Sequence, residues 1–343
     1  MWLTRPVRLA AGCVLLAACG AAPASSRGTE SLVAPDDVRE IVSVLAADSL
    51  EGRRTGTPGS ARASRFLADR MRRYGLEPAG DSGYFQPVGY EVVRGPEGET
   101  LRLAHPDSAD TARRVVDYNL VGVIRGSDPA LRNETVVLGA HFDHVGVGTP
   151  VEGDSIYNGA DDDASGVATV LAAARALAQD PPRRTVVVLL TSGEEFGVLG
   201  TQWYLERPRV PLETTVADLQ VEMVGRPDTL VGAGKLWLTG FERSTMGEEL
   251  SGAGLPVVAD PRPEFRFFER SDNIVFALRG IPAHTLSSFG MHGDYHQPSD
   301  EVERIDFEHL TRVADLVARA ARVVADGPRP TWKPGGRPTP ATP

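Results

Sequence analysis

The sequence predicts an α/β fold with a mostly parallel, mixed central sheet and helices on both of its faces. Short apolar, β-branched segments alternate along the chain with longer segments of helical periodicity, which is typical of such sheets. Clusters of charged residues follow the strand-like segments, at the positions where open parallel sheets bind ligands. A chain of 343 residues has the length of two domains, but α/β enzymes of this size are often built on one sheet. We therefore expect one catalytic domain.

The first predicted elements are two helices. In the second of them, Thr57 and Pro58 are suited to begin a helix, apolar residues recur at helical spacing, and Gly75 ends it. Residues 116–124 and 135–140 then predict two strands, and the second strand leads directly to His141.

The later elements continue this alternation. Residues 185–190 are β-branched and predict a third strand, and the apolar spacing before it predicts a helix that starts just after Asp162 and Asp163. Further strands are predicted at 216–223, 235–239 and 281–286. A closing helix is predicted from about Asp306 to Val324, because its apolar residues share one face.

The overall composition restricts the class of partner. The chain is 41% hydrophobic and 24% charged, as in an ordinary globular protein, and its formal charge of -10 leaves no basic face for phosphate groups. Nucleic acid is therefore not expected as a partner, and a peptide substrate is compatible with this charge. The composition departs from the ordinary only at the two ends, where residues 19–34 predict a flexible tether and residues 327–343 a disordered tail rich in Pro and Gly.

The N-terminus has the features of an export signal. Arg5 and Arg8 precede an apolar stretch at residues 9–18, which is too short to span a bilayer as a mature helix. The stretch ends in Leu-Ala-Ala-Cys, similar to a bacterial lipobox, so residues 1–18 are expected to be removed and Cys19 to receive lipid. A signal peptide that merely contains a cysteine is the alternative. The expected location is the cell envelope, with Gly20 favouring the outer membrane, and no cysteine would remain for a disulfide because Cys13 is removed.

Three motifs place acids or imidazoles at strand ends. His141 and Asp143 are two residues apart, so the carboxylate is expected to hydrogen-bond the imidazole and leave its other nitrogen free for a metal. The alternative is that these residues belong to an exposed polar loop. Three consecutive acids, Asp161 to Asp163, precede a helix and would repel one another without a cation. Glu194 and Glu195 follow a buried strand, where one can bind metal and the other can face water.

Two further motifs complete the set. Glu222 is expected within an apolar strand, where an unpaired charge is costly, and His296 lies in a loop with His292 nearby. Imidazole and carboxylate together favour zinc over calcium. Taken singly, each of these residues also suits a capped helix or a solvated surface.

The order of the five motifs resembles one protein family. The motifs are H-x-D, G-A-D-D-x-A-S-G, S-G-E-E, E-M-V-G-R and Y-H-Q-P-S-D, spread over roughly residues 36–325. They are similar to those of the aminopeptidase-Y or bacterial leucyl aminopeptidase type of co-catalytic zinc exopeptidases. Relatives of this type include glutamate carboxypeptidase-like proteins and glutaminyl cyclases. The resemblance implies a three-layer sandwich of the phosphorylase/hydrolase-like kind and an enzyme that hydrolyses terminal peptide bonds.

The resemblance also implies a role for each matched residue. Asp162 would bridge two zinc ions, with His141 and Glu222 completing one site and Glu195 and His296 the other. Glu194 would be the general base, Asp143 would support the site, and Tyr295 or a backbone N–H would stabilise the oxyanion. Two positions depart from the family pattern, because Glu222 stands where Asp is frequent and Ser271-Asp272-Asn273 stands where Ser-Asp-His is frequent.

Other activities remain open at this stage. A glutaminyl cyclase would use one zinc, and a carboxypeptidase would need a basic group for the terminal carboxylate, for which Arg226, Arg266 and Arg270 are candidates. A binding module without activity would be expected to lack ligands or base, and all are present. The sequence carries no indication of the oligomeric state.

Overall fold

The computed structural model describes residues 1–2, 31–95, 98–104 and 113–339. The predicted signal peptide, Cys19 and most of the tether lie outside these residues. In chain order the α-helices are α1 (Pro35–Leu45), α2 (Pro58–Arg73), α3 (Gly166–Gln179), α4 (Leu199–Glu206), α5 (Met246–Gly252), α6 (Asn273–Leu278) and α7 (Phe307–Asp326).

The strands carry the sheet that the sequence predicts. They are β1 (Glu77–Pro78), β2 (Phe85–Gly95), β3 (Gly98–Leu103), β4 (Arg114–Ile124), β5 (Thr135–His141), β6 (Gly146–Val151), β7 (Asp154–Tyr157), β8 (Thr185–Thr191), β9 (Thr215–Val221), β10 (Leu236–Leu238), β11 (Val257–Ala259) and β12 (Ala283–Ser287).

Ten of these strands form one mixed sheet in the order β11-β10-β12-β9-β5-β8-β4-β2-β3, with β1 paired to β4. The central strands β12, β9, β5 and β8 are parallel, and antiparallel strands flank them on both sides. Because the central strands are parallel, their carboxyl ends meet at one edge of the sheet. The register places His141, the last residue of β5, opposite Thr191, the last residue of β8.

The buried side chains explain why helices cover both faces. Successive residues of β5 and β8 point to opposite faces, so Val136 and Val188 join the core beneath α1, α2, α3 and α7, whereas Val137 and Val187 join a smaller core beneath α4 and α6. Full burial of one such side chain stabilises the fold by roughly 1.5–3 kcal/mol. The continuous apolar runs in β5 and β8 are therefore required by burial on both sides.

Two helices begin where the sequence predicts, and each has a side-chain cap. The Thr57 hydroxyl accepts the backbone N–H of Ser60 at 3.4 Å, and the chain leaves α2 through Gly75, whose φ is +79°. At α7, the Asp306 carboxylate accepts the N–H groups of Glu308 and His309 at 3.1 and 3.0 Å. The predicted starts of both helices are confirmed.

Both ends of the domain differ from prediction. In the segment predicted to be a tether, Val33 is buried, and residues 31–34 belong with the domain. In the segment predicted to be a disordered tail, the Trp332 indole packs against Phe268 and His284 and donates to the carbonyl of Gly280 at 2.9 Å. This ring and backbone hydrogen bonds on either side of it, such as that from Lys333 to the carbonyl of Arg243 at 2.9 Å, fix this Pro- and Gly-rich segment. Among the described residues, no helix has the length and apolarity needed to cross a membrane.

Candidate metal centre

The predicted site residues meet at the carboxyl edge of the parallel strands. His141 ends β5, Glu194 and Glu195 follow β8, and His296 lies in the loop after β12. Glu222 directly follows β9, which ends at Val221, so the expectation that Glu222 lies within a strand was wrong. The earlier end of β9 gives Glu222 the same position at the sheet edge as the other acids.

The carboxylate of Asp162 lies between two groups of candidate ligands. Its Oδ1 is 3.3 Å from Nε2 of His141, and its Oδ2 is 3.1 Å from Nε2 of His296. On the His296 side, the Oε2 atom of Glu195 is also 3.1 Å from that Nε2 atom. Asp162 therefore has the geometry of a carboxylate shared by two neighbouring sites.

Buried polar atoms without partners test whether these residues fit a metal. Among the described residues, Nε2 of His141, Nε2 of His296 and Oε2 of Glu222 are buried and lack a hydrogen-bond partner. Buried polar atoms are costly unless something satisfies them, and imidazole nitrogens with carboxylate oxygens are the donors that zinc prefers. The residues present fit divalent metal ions.

The pKa values of the three glutamates that line the pocket depend on their burial and on the neighbouring imidazoles. Burial raises the pKa of Glu194 well above its usual range, opposed by His141 and reinforced by Glu222. Burial likewise raises the pKa of Glu222 to about 7. For Glu195 burial is outweighed, because the neighbouring imidazoles of His144 and His296 lower its pKa to about 2. Burial thus disfavours the charged forms of Glu194 and Glu222, and bound cations would stabilise those charged forms.

The three consecutive acids divide their tasks. Only Asp162 faces the two imidazoles, and its peptide bond to Asp163 is cis. Asp161 accepts the backbone N–H of Gly225 at 2.6 Å, and Asp163 accepts that of Met223 at 2.9 Å. The flanking acids therefore fix the segment that follows Glu222, instead of repelling each other around a shared ion.

Asp143 does not make the contact expected of it. Nδ1 of His141 lies 3.2 Å from the backbone carbonyl of Asp143 but 3.8 Å from its carboxylate. The carboxylate instead accepts the Thr55 hydroxyl at 2.9 Å and the backbone N–H of Glu194 at 3.1 Å. The reason is that β5 ends at His141, so the alternation of faces along a strand no longer applies at Asp143. Asp143 positions the Glu194 segment.

Asp300 and His292 also belong to the site through the Asp161–Asp162 segment. Asp300 accepts the backbone N–H groups of Asp161 and Asp162, each at 3.0 Å, and pairs with Arg226 at 3.1 Å. Nε2 of His292 is 2.8 Å from the Asp161 carboxylate. Sequence reasoning assigned no role to Asp300, although it had quoted the motif that contains it.

His144 is a second residue that sequence reasoning missed. Its Nδ1 atom lies 2.7 Å from Oε1 of Glu195 and 3.7 Å from Oδ2 of Asp162. One ligand atom from each of His144, Asp162, Glu195 and His296 lies within 4.8 Å of the others. Because Oε2 of Glu195 faces His296, we interpret His144 as the donor that holds the other oxygen. The signal was the second histidine of His-Phe-Asp-His.

This interpretation predicts different effects for two substitutions of His144. His144→Leu removes the donor, and zinc affinity is expected to fall about 10- to 100-fold, as when other partners of metal ligands are removed. His144→Asn keeps an N–H group near the position of Nδ1 and should retain most of the affinity. Competition with a chromophoric chelator measures both values. Equal losses in the two variants would show that His144 is itself a ligand.

Comparison with known sequences adds to this geometry. Residues 119–321, more than half of the chain, match the sequence model of Peptidase family M28.

The chain belongs to peptidase family M28.

The chain is also similar to curated proteins in sequence and to solved structures in fold. Leucine aminopeptidase 1 of Ajellomyces dermatitidis is 30% identical over 214 residues, which cover 57% of this chain and 54% of that protein. The chain spans about half or less of the length of the curated relatives first matched. An aminopeptidase from Aneurinibacillus sp. strain AM-1 has the same fold, with a TM-score of 0.61 at 18% identity, covering 86% of this chain and 95% of that one.

A glutaminyl cyclase shares the fold as well. The enzyme from Porphyromonas gingivalis has a TM-score of 0.58 at 18% identity, covering 85% of this chain and 98% of that one. The fold of this M28 protein is therefore the one implied by the motif resemblance.

A pocket of the M28 protein opens beside the candidate ligands. Its lining contains both carboxylates and aromatic rings. The Trp237 and Phe267 ring centroids are 5.4 Å apart, those of Phe289 and Tyr295 are 5.6 Å apart, and the Tyr295 ring stacks on His296 at 3.9 Å. The lining acids are Asp162, Glu194, Glu195 and Glu222. The pocket can thus hold an apolar side chain next to the metal centre.

A buried arginine, Arg53, holds the backbone of the segments that carry site residues. Arg53 has no exposed surface, and its guanidinium donates to the backbone carbonyls of Phe142 at 2.8 Å, Asn158 at 2.6 Å and Gly159 at 3.0 Å. It also donates to Leu45 at 2.6 Å. Burial lowers the pKa of Arg53 to about 10, opposed by the surrounding acids, so it remains a cation at neutral pH. Arg53 joins the segments that carry His141 and Asp162.

Proposed function

We propose that this M28 protein is a zinc-dependent exopeptidase, and specifically an aminopeptidase that removes N-terminal residues from peptides. The observation that carries the proposal is the Asp162 carboxylate between His141 and His296, with Glu194 on the wall of the same pocket. Family membership and the names of the relatives, which include leucine aminopeptidases, support it.

The proposed ligands form two sets that share Asp162. His141, Asp162 and Glu222 would hold one zinc ion, and Asp162, Glu195 and His296 the other. Zinc, when bound, lowers the pKa of water and polarises a peptide carbonyl. The longer side chain of Glu222 suits its place just beyond the end of β9, where its Oε2 atom is without a hydrogen-bond partner among the described residues.

The chain's own residues would then carry the proton transfers. Glu194 is the proposed general base, which accepts a proton from the attacking water and delivers it to the leaving amine. Asp143 holds the backbone N–H of Glu194 and so keeps this side chain in place. Tyr295 lines the pocket and is the proposed donor to the oxyanion, since burial raises its pKa and keeps the hydroxyl protonated.

The test joins metal content with substrate hydrolysis. The purified domain from residue 20 is expected to contain about two zinc ions and to cleave aminoacyl substrates only when their amino group is free. Mass spectrometry measures the metal, and a matched panel of free and N-acetylated substrates measures cleavage. Cleavage of the N-acetylated substrates at equal rates would contradict an aminopeptidase.

Two other activities are separated by the same panel. A glutaminyl cyclase, which the fold of the Porphyromonas gingivalis enzyme makes relevant, would release ammonia from peptides with N-terminal glutamine and leave the peptide bonds intact. A carboxypeptidase would cleave N-blocked peptides at the other end. Zinc binding without turnover of any substrate would favour a binding module.

We also propose that the protein is exported and anchored by lipid at Cys19. The support is the pair Arg5 and Arg8, the short apolar stretch that follows, and the Leu-Ala-Ala-Cys sequence at its end. In a bacterial host, radiolabelled palmitate should be incorporated into the wild type and not into Cys19→Ser. Cys13→Ser is the matched control and should remain labelled. Labelling of Cys19→Ser would refute the anchor.

A further inference from the structure

Three arginines are candidates for binding a substrate carboxylate, and they differ in their ion pairs and in their position relative to the pocket. Arg226 is neutralised by Asp294 at 2.6 Å and Asp300 at 3.1 Å. Arg266 pairs with Glu269 and does not line the pocket. Arg270 does line it, and no carboxylate among the described residues forms an ion pair with it. The Arg270 guanidinium instead lies over the ring of Phe267, with its carbon atom 5.2 Å from the ring centroid.

The backbone of Arg270 is fixed beside the metal centre. The next residue, Ser271, accepts the hydroxyl of Thr285 in β12 at 3.1 Å, and the one after it, Asp272, accepts the Thr191 hydroxyl at 2.7 Å. Thr191 is the last residue of β8, so this segment is tied to the edge of the sheet that bears the ligands. The exposed Arg270 side chain therefore starts one residue before Ser271, which lines the same pocket as the proposed zinc ligand Glu222.

The charges of the pocket favour an anionic group at Arg270. Arg270 is the basic residue of the lining, and the other charged residues there are acids that face the metal centre. A guanidinium group matches a carboxylate through two parallel N–H donors, and the ring of Phe267 beneath it limits its motion. A substrate that brings its own carboxylate would complete this pair.

We propose that Arg270 binds a carboxylate on the residue that follows the scissile bond, so that the enzyme prefers substrates negatively charged at that residue. This inference rests on the proposed function. The aromatic lining suits the apolar side chain of the N-terminal residue, so the exposed guanidinium of Arg270 is left for the residue on the other side of the scissile bond. Two groups supply this chemistry, the C-terminal carboxylate of a dipeptide and the side chain of an acidic second residue.

The test compares matched substrates that differ in this one charge. Values of kcat/KM are measured for Leu-Gly against Leu-Gly-amide, and for Leu-Glu-amide against Leu-Gln-amide. In the wild type, the charged member of at least one pair is expected to be cleaved about 10- to 100-fold faster, the size of effect expected for a hydrogen bond between charged groups. A preference within the first pair identifies the terminal carboxylate, and one within the second identifies the acidic side chain.

Variants then assign the preference to Arg270. Arg270→Gln should reduce it to about 2-fold or less, and Arg270→Lys should retain part of it, since an ammonium group keeps the charge but not the paired donors. Arg266→Gln is the control, because Arg266 is exposed and lies outside the pocket, and it should keep the full preference. The inference is overturned if the wild type shows no preference in either pair, or if Arg270→Gln keeps it.

A binding measurement distinguishes failure of the proposed carboxylate site at Arg270 from failure of the proposed peptidase activity. Calorimetric titration of the zinc-loaded Glu194→Gln protein with the same four peptides measures affinity without turnover. A preference that depends on Arg270, together with no cleavage by the wild type, would support the carboxylate site and overturn the peptidase. Equal binding of charged and uncharged members would overturn the carboxylate site.

Discussion

Replacing Glu194 by Gln is expected to remove most of the turnover and leave the metal bound. Glu194 lines the pocket beside the candidate ligands, and its backbone N–H is held by Asp143 at 3.1 Å. The amide has the shape of the carboxylate but cannot accept the proton of water. Loss of a general base typically lowers kcat by about 10²- to 10⁴-fold. Steady-state kinetics on an unblocked substrate and zinc content of the same sample measure the two effects.

Two further variants sharpen this experiment. Glu195→Gln, one residue along, should lower zinc content as well as activity, because Glu195 is a proposed ligand with a pKa of about 2. Glu213→Gln, on the exposed turn before β9, should change neither. A kcat near the wild-type value for Glu194→Gln would remove this residue from the role of base.

Replacing Arg53 by Met is expected to lower both the stability of the fold and the affinity for zinc. The substitution preserves bulk but leaves four buried carbonyl groups without their donor. Since each hydrogen bond to a charged group contributes about 1.5–3 kcal/mol, and removal of the buried charge offsets part of the loss, we expect a decrease of roughly 3–5 kcal/mol in the free energy of unfolding. Denaturant titration measures it.

The zinc affinity distinguishes positioning from general stability. Arg53 holds Phe142, next to His141, and Gly159, three residues before Asp162, so its loss should weaken zinc binding about 10- to 100-fold. Arg70→Met is the control, because Arg70 is also buried but pairs with Glu40 in the helical layer. That variant should lose stability and keep its zinc affinity. Wild-type affinity in Arg53→Met would refute the positioning role.

Much of the fold follows from local patterns. Strands β5 and β8 are runs of Val and Leu buried on both faces, and α7 presents one continuous apolar face, so each element is recognisable from its period alone. Strands β2 and β3 were not predicted, because many of their residues are exposed and they contain no continuous apolar run like that of β5 or β8. The ordered tail was missed because composition does not reveal the packing of one indole.

The residues of the site likewise divide into those that the sequence predicted and those that it did not. His141, Asp162, Glu194, Glu195, Glu222 and His296 were predicted from motif order, and the structure brings them to one pocket and its margin. His144, Arg53 and Asp300 were missed. Each acts through a contact far away in the chain: Glu195 lies 51 residues from His144, and Gly159 lies 106 residues from Arg53. No local pattern encodes such a contact.

The sequence by itself determined the fold class, the family resemblance and the proposed ligands and base, because apolar periodicity and motif order are properties of the chain. Only the tertiary structure decided what chemically equivalent residues do. Asp161 and Asp163 bind backbone N–H groups that follow Glu222, whereas Asp162 faces two imidazoles. The physical reason is that a carboxylate's role depends on which donors surround it, and those donors come from strands and loops that meet only when the sheet has formed.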